Sequence, residues 1–137
     1  MLKKNAIFVF LFACLCYAAN FTSTHGKLRV SGSKILDRNN QEIVLRGMSL
    51  YWYEGPWSGG QPGNQFYTST VVSNLANNWN ANVIRAAIGN VQQNPSTALS
   101  MAKNMMDWAN NAGIYVIIDN HSHIAHRSAH ATAANNF

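Results

Sequence analysis

The sequence predicts an α/β fold, a parallel sheet whose strands alternate with helices and which is preceded by a small β-hairpin. Three observations predict it. The stretches "NVIRAAI" at 82–88 and "IYVIID" at 114–119 have strand length and are apolar on both sides, the pattern of strands covered by helices. The segment between them, "TALSMAKNMMDWANNAG", carries small and apolar residues at helical spacing. The order strand, helix, strand, helix, strand is that of successive βα units, whose crossovers make the strands parallel.

The elements follow in chain order. Lys3 and Lys4 precede the apolar run "AIFVFLFACLCYAA", which has the charge and length of a secretory signal and is too short to span a bilayer as a helix. Residues 1–18 are therefore expected to be cleaved, because Cys16 and Ala18 put small side chains where a signal peptidase inspects them. Lipidation at Cys14 is the competing reading, and Phe12 fits it poorly. Cleavage leaves one domain, 19–137, of 119 residues, without a disulfide because both cysteines lie in the leader.

In "GKLRVSGSKILDRNNQEIVLRGMSL", short apolar runs alternate with turn residues, and "DRNNQ" at 37–41 suits a turn between antiparallel strands. "YWYEGPWSGGQPGNQF" is rich in Gly, Pro and aromatics, so it reads as a long surface loop. "TSTVVSNLANNWN" reads as a short helix with Val71, Val72, Leu75 and Trp79 on its apolar spacing and Thr68 or Ser69 as its cap. The strand holding Arg85 comes next, followed by the turn "GNVQQNPS". The following helix places Ala98, Ala102, Met105, Ala109 and Ala112 on one face, and Gly113 stops it. After the last strand, "HATAANNF" looks like the start of another helix.

Charge excludes some partners. Ten basic residues face five acidic ones, and without Lys3 and Lys4 the balance is +3, too weak and scattered for nucleic acid. No other apolar run approaches the length of a membrane span, so the cleaved product is expected to be soluble.

Function in such sheets gathers at the carboxyl ends of the strands. Strand alternation from Ile117 puts Asp119, His121 and His123 on one side. Histidines at i and i+2 can share a metal, with His126 and His130 as further ligands; they can equally line a substrate site, or form a tract without a role. Arg85 lies within an apolar strand and needs an anionic or polar partner, either a structural ion pair or a catalytic carboxylate that it orients. Tyr51, Trp52, Tyr53 and Trp57 crowd one loop beside Glu54, a fair platform for the C–H faces of pyranose rings, although one or two of them can serve the core instead. Trp79 and Trp108 lie on predicted helices and read as structural.

Taken together, "GKLRVSGSKILDRNNQEIVLRGMSL", "NWNANVIRAAI" and "GIYVIIDNHSHIAH", in this order, resemble the amino-terminal part of the family-five glycoside hydrolases, particularly secreted endo-β-1,4-glucanases, from about Gly26 to Phe137. The resemblance implies a (β/α)8 TIM barrel, of which about three βα units are present, acting on β-1,4-glucan with retention through two glutamates. It implies that Arg85 supports the nucleophile and that His121 lines the subsite where the bond breaks, with Tyr51, Trp52, Trp57 and His123 as further sugar-binding candidates. No cofactor, metal or nucleic acid is expected, and the full-length enzyme is expected to be a secreted monomer. The chain departs from the family at Asn120, where Trp or Phe is frequent, at Tyr51, where many members have His, and at Gly89, where an aromatic is usual.

The family's acid/base glutamate lies in an Asn-Glu-Pro segment after the fourth strand and its nucleophile after the seventh. The acidic residues here, Asp37, Glu42, Glu54, Asp107 and Asp119, lie in neither motif. Retaining hydrolysis needs two carboxyl groups about 5 Å apart; Glu54 and Asp119 can be imagined facing one pocket, but the family gives them no such role. A whole barrel takes about 250 residues, so a truncated chain, inactive alone, is expected. Two other readings stand beside it: a non-catalytic glucan-binding remnant that uses the aromatic loop, and a metal-dependent barrel hydrolase that uses His121 and His123.

Overall fold

The computed structural model describes residues 20–54, 63–89 and 95–121. The leader, Trp57, His123, His126, His130 and the helix expected from residue 130 lie outside them.

A short helix, α1 (Phe21–His25), comes first, with the Asn20 side chain accepting a hydrogen bond from the Ser23 amide. The sequence offers little apolar periodicity here, and tertiary contacts hold the helix: Thr22 N–H donates to Gly113 O at 3.0 Å, and the Phe21 ring meets Tyr115 edge-on at 5.9 Å. The antiparallel hairpin follows as β1 (Arg29–Ser31) and β2 (Lys34–Leu36). Beyond β2, the expected turn at 37–41 bends the chain back so that Leu36 bridges Glu42 and Ile43 N–H donates to Ile35 O at 3.0 Å.

Asp37 builds that turn. One of its carboxylate oxygens accepts from the amides of Asn39 (2.7 Å) and Gln41 (2.9 Å), and the other meets His25 Nδ1 at 2.9 Å. Its side chain is buried, and the hydrogen bond with His25, followed by that from Gln41, holds its pKa below the ordinary carboxylate value.

The main sheet is parallel throughout, in the order β3 (Gly47–Ser49), β4 (Val83–Ile88), β5 (Tyr115–Asn120). Gly47 permits the first pairing, since a Cβ at that position would lie 1.6 Å from Val83 O. Helix α2 (Ser69–Asn78) connects β3 to β4, and α3 (Pro95–Ala112) connects β4 to β5.

In α2, Thr68 is the N-cap, its side chain accepting from the Val71 amide, and Val72, Leu75 and Ala76 are buried. Trp79 departs from the core-facing position its spacing suggested. It is the C-cap, 70% exposed, because the helix ends at Asn78 and Asn80 turns the chain with a φ of 52°. Helix α3 buries Ala98, Ala102, Met105 and Ala109, as the pattern predicts, and Gly113 leaves it with a φ of 71°. It starts at Pro95, in the first-turn position where a missing N–H costs nothing.

The two helices cover one face of the sheet, where Ile84, Ala86 and Ile88 pack with Val72 and Met105. By strand alternation the other face carries Val83, Arg85 and Ala87 beside Tyr115, Ile117 and Asp119. This second face is partly open: Ile117 is 48% exposed.

Candidate active site

Arg85 sits on the open face, level with Ser49 of β3 and Ile117 of β5. Asp119 is two residues further along, level with Ala87, so the guanidinium must run toward the carboxyl ends of the strands to reach it. The small side chain of Ala87, next on the same face of β4, leaves room for that path. One Arg85 nitrogen donates to Ser49 Oγ at 2.7 Å, while the other forms an ion pair with Asp119 and lies 3.1 Å from His121 Nδ1. The partner that an arginine in an apolar strand requires is therefore Asp119.

His121 follows the last strand residue, with its amide donating to Ile88 O at 2.8 Å. Its Nδ1 is 2.9 Å from Asp119 Oδ2. A carboxylate only accepts and a guanidinium only donates. Nδ1 can therefore donate to Asp119 when it carries the proton or accept from Arg85 when it does not, while Nε2 takes no part in these contacts. Trp52 packs edge-on against the His121 ring, with centroids 4.8 Å apart.

Gly89 gives Trp52 its place. A Cβ on Gly89 would lie 2.3 Å from Trp52 Nε1, so the indole occupies space that any side chain there would claim. That accounts physically for glycine at this departure from the family pattern. Asn120 is paired with Ile88, on the helix-facing side of β5 by alternation, so it does not share the face of Asp119.

The aromatic loop divides. Tyr53 is core, buried against Tyr67 at 4.9 Å and bridged to Ile88 in parallel fashion, while Tyr51 is 62% exposed and Trp52 is half-buried. Glu54 does not face the Arg85 cluster through its hydrogen bonds; its carboxylate and amide are both engaged by the Asn64 side chain. Tyr67 lies beneath the cluster, its hydroxyl donating to Ala87 O at 2.8 Å, and burial pushes its pKa up to about 12. Burial, and then the Glu54 carboxylate, also raise that of Tyr53.

Sequence reasoning missed Ser49, Tyr67 and the space kept by Gly89. The first was readable only from strand register, the second only from the path of the loop. Among the described residues no group of three His, Cys, Asp or Glu side chains is placed to hold a metal ion, and His123, the second histidine of the metal reading, lies outside them.

Parallel βα units with a charged cluster at the carboxyl ends of the strands are the arrangement of α/β folds whose sites are built on strand-end loops. The comparisons make this specific. The family model for cellulase (glycosyl hydrolase family 5) matches residues 36–137, and the chain belongs to that family. It is 36% identical to an endoglucanase of Clostridium saccharobutylicum over 107 residues, covering 73% of this chain and 22% of that protein. It is 30% identical to Endoglucanase Z of Dickeya dadantii over 115 residues, covering 80% and 26%. The chain thus spans about a fifth to a quarter of the length of the curated relatives it matches. The catalytic domain of Thermobifida fusca endoglucanase Cel5A superposes with a TM-score of 0.60 at 27% identity, over 72% of this chain and 32% of that one, and has also been solved in complex with cellotetraose. The fold is accordingly the amino-terminal part of a (β/α)8 barrel, with β3, β4 and β5 as its first three strands.

Proposed function

We propose that this chain is the amino-terminal portion of the catalytic barrel of a secreted endo-β-1,4-glucanase that acts with retention, its two catalytic glutamates supplied by polypeptide outside the given sequence. The observation that carries the proposal is the Arg85–Asp119–His121 cluster at the carboxyl ends of β4 and β5, beside the Trp52 ring. Arg85, held by Asp119 and Ser49, presents fixed positive charge where a nucleophilic carboxylate must stay ionised. His121 offers Nε2 to a sugar hydroxyl. Trp52 and the exposed Tyr51 supply aromatic surface for the glucan, with Trp57 and His123 assigned to the same platform on the strength of the resemblance.

Residues 1–18 act as the leader in this reading, and amino-terminal sequencing of secreted protein should begin at Ala19. Among the described residues no helix is long and apolar enough to cross a membrane. A chain ending at Phe137 is expected to be inactive on cello-oligosaccharides, whereas the full translated protein should hydrolyse them and release the β-anomer first, as proton NMR would show. Arg85→Ala in the full protein should lower kcat/KM by about a hundredfold or more. Turnover by the 137-residue chain alone, or an α-anomer formed first, would overturn the respective part of the proposal.

A further inference from the structure

A second concave surface lies on the helical side of the molecule. It is a groove of about 310 Å³ lined by Ser69, Ser73 and Asn77 of α2, Trp108 and Asn111 of α3, and Asn20 at the cap of α1. It shares no residue with the Arg85 cluster. Its volume is at the lower end for small-ligand sites, enough for one or two sugar rings.

Its chemistry is narrow. Every polar side chain lining it is an uncharged amide or hydroxyl, and the one large apolar surface is an indole. The whole of α2 lacks a charged residue, and five of its ten residues are Ser or Asn, poor helix formers where a face built only for solubility would carry Lys, Glu or Gln. The groove is also partly pre-organised, because Asn77 Nδ2 donates to Ser73 Oγ at 3.1 Å. That bond consumes one N–H of Asn77 and one lone pair of Ser73; the Asn77 amide oxygen and the Ser73 hydroxyl hydrogen are left to meet a ligand. Trp108 leans on the core with one side and lines the groove with another, so its orientation costs a ligand little entropy. A neutral lining supplies no counter-charge for an ion or a nucleic-acid backbone, whereas a pyranose presents hydroxyls to amides and a C–H face to an indole.

We propose that this groove is a second carbohydrate site, holding an uncharged glucan chain away from the strand ends. The sugar class follows from the lining alone; the choice of glucan rests on the function proposed above. The test titrates cellotetraose into the full translated protein with ¹⁵N-labelled tryptophan and asparagine. The indole N–H of Trp108 should shift and saturate. Because Trp108 supports the core, the amides are removed instead: Asn77→Ala with Asn111→Ala should weaken the Trp108 response about tenfold, the worth of two hydrogen bonds. Trp79→Ala, which removes an exposed indole outside the groove, should leave it unchanged. A Trp108 signal that does not move, or one whose affinity is the same in the double variant, overturns the inference. Trp52 reports separately on the strand-end site: a shift there without one at Trp108 sinks the second site and keeps the proposed function, and the converse keeps the second site and counts against that function.

Discussion

At the scale of single residues, buried polar groups define both the turn that starts the domain and the floor of the site. Tyr67 illustrates the second. Its hydroxyl is satisfied by Ala87 O, and its pKa of about 12 lies above the ordinary 10.0 because burial penalises the phenolate. A raised folded-state pKa stabilises the native state in full below pH 10, and the contribution is lost as pH rises toward 12. Tyr67→Phe should therefore cost about 1 kcal/mol at neutral pH, the net worth of one hydrogen bond, and should flatten the alkaline limb of stability measured by denaturant titration between pH 10 and 12. Asp37 runs the other way. Its depressed pKa gives stability that is present above the ordinary 3.8 and fades as pH falls through the lowered value. Asp37→Asn should accordingly remove the acid-side loss while lowering stability at pH 7; an unchanged acid limb would contradict this.

At the scale of elements, the two helices that cover the sheet owe their position to different devices. Helix α2 is short and depends on its cap: Thr68→Ala removes the acceptor for the Val71 amide and should cost about 1 kcal/mol in the folded protein's stability. Helix α3 is seated by one large side chain among alanines, since Met105 is fully buried while Ala98, Ala102 and Ala109 let the helix approach the sheet closely. Met105→Ala should cost 2–5 kcal/mol, about the range for large-to-small core changes, read as a lowered denaturation midpoint. A cost equal to that of Thr68→Ala would mean that the alanine face, rather than Met105, carries the packing. The pairing of β4 with β5 has a geometric consequence, because its register sets Asp119 one pleat beyond Arg85 and so directs the guanidinium toward the strand ends.

At the scale of the whole molecule, one face of the sheet is sealed by α2 and α3 while the other displays Ile117 and the stem of Arg85. In a closed barrel that face is interior, packed by side chains from the remaining strands. We expect residues 19–137 alone to melt without a cooperative transition and to aggregate, and the full translated protein to melt cooperatively, by circular dichroism and calorimetry. A sharp melt of the short chain would show that three βα units suffice here.

The alternation of strands and helices, the αL stop at Gly113, the turn at 37–41 and the alanine face of α3 were legible in the sequence, because each is a local matter of periodicity or backbone preference. So was the need of Arg85 for a partner, and the presence of Asp119 and His121 on one side of a strand. Helix α1, the burial of Tyr53 and the seat of Trp52 over Gly89 were decided by tertiary structure. Each depends on what a distant segment places alongside: Gly113 against Thr22, Ala87 against the Tyr67 hydroxyl, Gly89 against the indole. Spacing along a chain states which side chains share a face; only the register between strands states which of them meet.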